Sequence, residues 1–195
     1  KVRSENISYV IVPHLNASGR MQDAKIAAAL MMEKNDEKVK AGVETLISCN
    51  QQRKKIQSET FKQCCDIVDE KYQDAPFLVI DLEDAHEGIT GIVAGKLKET
   101  YHKPAIIVTP TAGGCLKGTG RGIEGVNLYS LLKENEELFE RFGGHAAACG
   151  FTMKREHLDI LRCRLNEAMG RIFSANPDLA DGRIQADLHL EAGDV

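Results

Sequence analysis

Arg141-Phe142-Gly143-Gly144-His145-Ala146-Ala147-Ala148-Cys149-Gly150 gathers residue types suited to holding an anion. Paired glycines leave backbone N–H groups open to close approach and tolerate the dihedrals that an anion-binding nest requires. A histidine directly after them can donate to the same phosphate. The small residues that follow let the chain pack tightly against a neighbour. The same letters also describe a tight turn leading into a small-residue helix, and spacing alone leaves both readings open.

Lys117-Gly118-Thr119-Gly120-Arg121-Gly122 alternates cationic or hydroxyl residues with glycine. On a strand, Lys117, Thr119 and Arg121 share one face, and Arg121 can meet a phosphate bidentately. The blander alternative is a solvated edge strand guarded by charge. The Gly-Lys-Ser/Thr ending of a nucleotide-binding P-loop is absent, so an NTPase is not expected. In Leu15-Asn16-Ala17-Ser18-Gly19-Arg20-Met21, Arg20 follows a glycine at an expected helix start, where side chain and helix dipole both attract anions. Read as structure alone, this is a capping loop with a surface arginine. His86 precedes an expected helix and follows a strand, a common place for ligand contacts in α/β folds. Asp81, Glu83 and Asp84 stand nearby, but three carboxylates on a loop with no second cluster read as solvated groups, not as a metal site.

Positioning these segments calls for an ordered scaffold. The chain has 195 residues, 43% hydrophobic, enough for a sizeable core in one or two domains. No apolar run approaches the ~18 residues of a membrane span. The formal charge of −4 argues weakly against a generic nucleic-acid binder, yet binding follows local potential and not the sum. The six cysteines contain no C-x-x-C pair and no disulfide framework, which points away from zinc and toward a reducing cytoplasm. The start lacks an initiator Met and a signal peptide, as expected of an excised fragment.

Residues 7–12 read as a short strand or extended entry stopped by Pro13, followed by a loop to Gly19 and a helix from Asp23 to about Glu33. From Glu37 to Tyr72 there is no proline and only Gly42, and apolar residues recur at helical spacing at both ends around the polar Asn50–Lys55. The pattern predicts one helix, roughly 50 Å long at 1.5 Å per residue, bridging two packed bodies through a solvated centre. Phe77–Ile80 and Pro104–Val108 read as buried strands joined by a helix over Gly88–Tyr101, a βαβ unit with parallel strands. Beyond it the expectations are a hairpin ending in a strand over Gly113–Gly122, helices over Asn127–Leu132 and Glu136–Phe142, a strand at Phe151–Met153 and a last helix over Arg155–Phe173. Residues 183–188 alternate like the first strand of something further. The fold class is α/β: a mixed sheet with flanking helices, preceded by a long helix.

The order and residues of the four segments resemble the RecJ family of DHH phosphoesterases. Gly143-Gly144-His145 through Gly150 is similar to the signature of the DHH-associated domain, Leu15–Met21 to L-N-A-A-G-R-M, residues 86–94 to H-x-G-V-I-G-I-V-A, and residues 117–128 to K-G-S-x-R-S-I-x-G-x-N-L. The chain departs from the pattern with Gly122 in place of a phosphate-binding Ser, Ala85 in place of Trp and Cys149 in place of Ala.

The resemblance implies a tail of the catalytic DHH domain at 1–35, an interdomain helix at 36–73, a DHH-associated substrate-binding domain at 74–175 and the start of an OB-type domain at 176–195. It implies a parent enzyme that degrades single-stranded DNA from the 5′ end with Mn²⁺ or Mg²⁺. The metals would be held by Asp-His-His-type motifs absent from this sequence, leaving no catalytic and no metal-binding residue here and an inactive fragment. Asn16, Arg20, His86, Lys117, Thr119, Arg121, Gly143, Gly144 and His145 would then contact the phosphates of single-stranded DNA. The same signature also fits a short-oligonucleotide or cyclic-dinucleotide phosphodiesterase of the superfamily, or a non-catalytic nucleic-acid-binding module. No membrane association is expected.

Overall fold

The computed structural model describes residues 2–180. The elements are α1 (Ser4–Asn6), a π-helical stretch (Ile7–Ile11), α2 (Val12–Met21), α3 (Lys25–Met32), α4 (Asp36–Ile67) continued by a π-helical turn (Val68–Tyr72), β1 (Leu78–Asp81), α5 (Glu87–Tyr101), β2 (Ala105–Pro110), β3 (Leu116–Arg121), α6 (Leu128–Lys133), β4 (Phe139–His145), β5 (Ala148–Met153) and α7 (Leu158–Ala175). The expected strand over 183–188 lies outside the described residues.

The long helix forms as its sequence dictates. The Asn35 side chain caps it by accepting from Lys38 N at 3.1 Å, and Asp36 and Glu37 sit in its first turn where the helix dipole favours anions. No break occurs at Cys49. The expectation of a solvated centre is corrected, however: Asn50, Gln57 and Thr60 are buried on the stripe that continues Leu46, Cys49 and Cys64. Their amides and hydroxyl are as polar as the exposed residues between them, so hydropathy alone could not tell which side faced inward.

β1 and β2 are parallel, joined by α5 as crossover, and the sheet order is β1-β2-β3-β5-β4 with the remaining pairs antiparallel. One face packs Val79, Ile106, Leu116, Phe151 and Met153 against Leu128 and Leu132 of α6 and Leu161, Leu165 and Met169 of α7. The opposite face packs Leu78, Ile80 and Ile107 against Ile89, Val93 and Leu97 of α5, with Cys64 and Val68 behind. The β1 edge is closed by α7: Asn166 accepts from Phe77 N at 3.2 Å and Arg162 donates to Val79 O at 3.3 Å. These two contacts partly cover the edge of the sheet on this side.

Two local expectations are corrected, and one open reading is decided. Residues 7–21 are helical, not a strand and loop: a π-helical stretch over Ile7–Ile11 runs without a break into α2, and Pro13, which has no N–H to donate, stands just after it. The helix expected over Glu136–Phe142 is one 3₁₀ turn, Glu136–Leu138, after which the chain runs straight into β4. The small residues after His145 form no helix; Ala146 and Ala147 are the turn of a β4–β5 hairpin.

Candidate functional site

Among the described residues, no helix covers the β4–β5 half of one sheet face. α5 covers the β1–β3 side, but Gly143 and Arg141 on β4 and Gly150 on β5 remain exposed. Register decides what projects there. Lys117 pairs with Thr152, Thr119 with Gly150 and Arg121 with Ala148 across β3–β5. Those same β5 residues pair with Arg141, Gly143 and His145 across β5–β4. Paired residues project to the same side of a pleated sheet. Lys117, Thr119, Arg121, Arg141, Gly143 and His145 therefore share one face, while Gly118, Gly120 and Cys149 turn to the α6–α7 core. Arg121 and His145 flank one intervening strand, roughly 10 Å apart at backbone level. A cleft of about 510 Å³ opens along this face, with Glu87, Lys117, Thr119, Arg141, Gly143 and Thr152 in its walls.

Close backbone packing shapes the hairpin tip. Gly144 has φ +149°, and a Cβ there would lie 2.4 Å from Ala148 O and 2.6 Å from Cys149 Cα, so only glycine fits. The turn carbonyls of Ala146 and Ala147 accept from Leu128 N and Gly122 N, both at 2.9 Å. This holds the tip beside the end of β3. Gly122 is buried, and a Cβ there would meet Ala146 O at 3.1 Å. The position thus serves the docking of the hairpin. His145 is exposed and accepts at Nδ1 from Ala147 N at 3.3 Å. The Cys149 thiol donates to His145 O at 3.4 Å, and burial pushes its pKa up.

The other candidates gather around the start of α5. His86 is its N-cap and accepts from Gly88 N at 3.1 Å, so its Nδ1 is engaged in capping. Thr119 accepts from Thr90 Oγ1 at 3.3 Å. Lys117 pairs with Glu87 at 2.6 Å, both about half-exposed. Arg20 lies in the last turn of α2, not at a helix start as its glycine suggested, and donates from Nη1 to Gly88 O at 2.9 Å. Asn16, one turn earlier on α2, is exposed. Arg121 donates to Gly120 O at 2.9 Å; burial, then the charge of Arg20, lowers its pKa.

Arg141, Glu87 and Thr152 were missed as site residues. The signal lay in the alternation of Phe139, Arg141, Gly143 and His145, which a helical reading of 136–142 concealed. Asp81 and Glu83 are not simply solvated: each accepts from Arg155 at 2.8 Å, which ties the end of β1 to the turn before α7. Among the described residues no group of three or more His, Cys, Asp or Glu could hold a metal ion, so these residues do not fit a divalent-metal centre. No described helix is long and apolar enough to cross a membrane.

The family model of the DHHA1 domain matches residues 74–171. The single-stranded-DNA-specific exonuclease RecJ of Bacillus subtilis (strain 168) is 32% identical over 168 residues, which is 86% of this chain and 21% of that protein. The RecJ of Escherichia coli (strain K12) is 28% identical over 203 aligned positions, covering 100% of this chain and 35% of that protein. The crystal structure of Thermus thermophilus RecJ with Mg²⁺ superposes with a TM-score of 0.77 at 25% identity, over 85% of this chain and 26% of that one. The chain thus spans about a fifth to a third of the curated relatives it matches. A domain model covering half the chain, a shared fold and relatives aligned over most of its length agree: the chain belongs to the DHHA1 domain family and is of the RecJ type.

Proposed function

We propose that this chain is the strand-gripping part of a single-stranded-DNA exonuclease of the RecJ type. The observation that carries the reading is the shared face of Lys117, Thr119, Arg121, Arg141, Gly143 and His145, with an open cleft beside Lys117, Thr119, Arg141 and Gly143. Cations in a row suit a phosphate backbone, and such contacts position a strand without reading its sequence. In this reading 1–35 belongs to a catalytic domain, 36–73 links it to the domain at 74–175, and 176–195 begins a further one. The Mg²⁺ or Mn²⁺ named with solved RecJ structures would be held outside the described residues. The task of this chain's residues is then to bind and orient phosphates, including the 5′-terminal part of the strand, toward chemistry performed elsewhere. This chain alone should not shorten single-stranded DNA.

Fluorescence anisotropy of a labelled oligo-dT with this chain tests the reading. Affinity should fall steeply with salt and vary little with sequence. Arg121→Ala should weaken binding about tenfold, as expected for loss of one charge-assisted phosphate contact. It should leave the melting temperature nearly unchanged. Parental affinity in Arg121→Ala, His145→Ala and the cleft variant Arg141→Ala would remove this face from the binding surface.

A further inference from the structure

The cleft wall carries charge at Glu87, Lys117 and Arg141. Register places the two cations. Lys117 on β3 pairs with Thr152 on β5, and Thr152 pairs with Arg141 on β4, so the cations end one row across the sheet, roughly 10 Å apart at backbone level. Arg141 reaches this face through a β-bulge. Phe139 and Arg141 pair with the consecutive residues Met153 and Thr152, so Glu140 is the extra residue and the alternation of faces skips there. Without the bulge, Arg141 would project with Phe139 toward the α6–α7 core.

Glu87 comes from outside the sheet. It is the first residue of α5, directly after the His86 cap, and its carboxylate accepts from Lys117 Nζ at 2.6 Å. The pair is not sealed, for each side chain is 49% exposed. No ion pair among the described residues includes Arg121 or Arg141. The face therefore holds two kinds of cation: Lys117 carries its counter-ion with it, and the two arginines do not. While the Lys117–Glu87 pair is closed it cancels its own field, and Arg141 supplies the net charge of the cleft wall. An ion pair this exposed is worth at most about fivefold in an equilibrium constant. An arriving phosphate, which accepts charge-assisted hydrogen bonds as a carboxylate does, can displace it.

We infer that Glu87 is an internal competitor for the anion that Lys117 binds. A phosphate entering the cleft takes Lys117 from Glu87, and the carboxylate takes it back when the phosphate leaves. Glu87 thereby sets how tightly this row of the cleft holds, and the row grips less firmly than that of Arg121. For a strand that advances through the cleft, a grip that opens readily lets each phosphate move on. Naming the anion as part of a strand rests on the proposed function; the exchange at Lys117 does not.

The whole 195-residue chain, Glu87→Gln, Lys117→Met and the double variant test this by oligo-dT anisotropy. Gln keeps the size of Glu and can still accept from Lys117, so the substitution removes charge and not position. Glu87→Gln should bind about three- to fivefold tighter at low salt and dissociate more slowly. Its slope of log affinity against log salt should steepen by up to about 0.7, the share of one phosphate on a single strand. Less than half of the gain in affinity should survive in the Lys117→Met background, and that remainder measures plain repulsion between Glu87 and the ligand. An equal gain with and without Lys117 overturns the competition. So does a Glu87→Gln variant that binds as the parent does or more weakly, since the carboxylate would then be neutral to the ligand or would hold Lys117 in place for it.

Calorimetric titration of the same proteins with inorganic tripolyphosphate separates the two readings. Parental affinity of Glu87→Gln for both anions, alongside oligo-dT binding weakened by Arg121→Ala, overturns the competitor and leaves the strand-gripping function intact. A Lys117-dependent gain for tripolyphosphate, with no oligo-dT binding by any of the proteins, supports the exchange and sinks the strand reading. Binding of neither anion by any of them overturns both.

Discussion

Residues 2–47 and residues 77–169 follow opposite rules of burial. In the second region whole strands and helix faces are sealed, including Phe77, Leu78, Ile80, Ile107, Leu132 and Leu161. In the first, Ala17, Ser18 and Leu46 are buried, while Ile7, Tyr9, Val10, Ile11, Met31, Met32, Val43 and Ile47 are exposed. Such a concentration of large apolar side chains is unusual for a surface that stays in water. The contrast teaches that helices can be well formed by local preference and still be half of a packing arrangement. The α/β body holds its own core on both faces of its sheet. The N-terminal helices hold theirs where α2, α3 and α4 touch one another and where α2 and α4 touch α5. In the proposed function their uncovered side meets the catalytic domain.

The sharpest way to break this comparison is to damage the sealed region. Phe151 fills the space left by Gly118, where a Cβ would lie 2.1 Å from its ring, and it packs against Phe139 at a centroid distance of 4.7 Å. Phe151→Ala should cost about 3–5 kcal/mol, the range for truncating a core aromatic. Urea denaturation measures it. A cost below about 1 kcal/mol would mean that the body is not close-packed there.

Gly144 lies at the boundary between core and cleft, and its expected effect is intermediate. Gly144→Ala forces a side chain into a backbone conformation that favours glycine and against the Ala148 carbonyl, so destabilisation of about 1–3 kcal/mol is expected. The hairpin tip should suffer more than the rest. Hydrogen exchange should speed up at Gly122 and Leu128, whose N–H groups bond the turn, and should hold at the β1–β2 ladder. Uniform acceleration would show that hairpin and core open as one unit.

The same contrast explains what could be read from the chain. In the body, period and polarity agree: Phe77–Ile80 and Ala105–Val108 are apolar without interruption, as strands covered on both sides must be, and the parallel pairing followed from the helix between them. Lys117, Thr119 and Arg121 were placed on one face by alternation alone, and the register bears that out. Reading failed where local preference and tertiary context diverge. Ile7–Val12 is β-branched and looks like a strand, yet it winds as a helix into α2. Phe139–Phe142 has no breaker and looked helical, yet pairing with β5 draws it out as a strand. Arg53 stands between lysines and glutamines in a run that reads as solvent-facing, and only the orientation of α4 reveals that it turns inward with Asn50 and Gln57.

The smallest expected effect is also the most specific to the N-terminal region. Met31 and Met32 end α3 with 74% and 82% of their surface exposed. Their side chains lose almost no water contact on folding, so folding gains little from them. Replacing both by Gln keeps chain length and helix propensity while removing the apolar ends. The double variant should change stability by no more than about 0.5 kcal/mol, a Tm shift of about 1–2 °C for a chain of this size. Leu46→Ala, at a buried site on the adjoining helix, should by contrast cost about 2–5 kcal/mol. Sedimentation velocity at two concentrations completes the comparison. If the parent self-associates through this surface, the double variant should stay monomeric where the parent does not. A Tm loss above about 4 °C in a protein that is monomeric at both concentrations would mean that these methionines are covered within the chain itself. The N-terminal helices would then be a closed unit, and the contrast with the α/β body would fall.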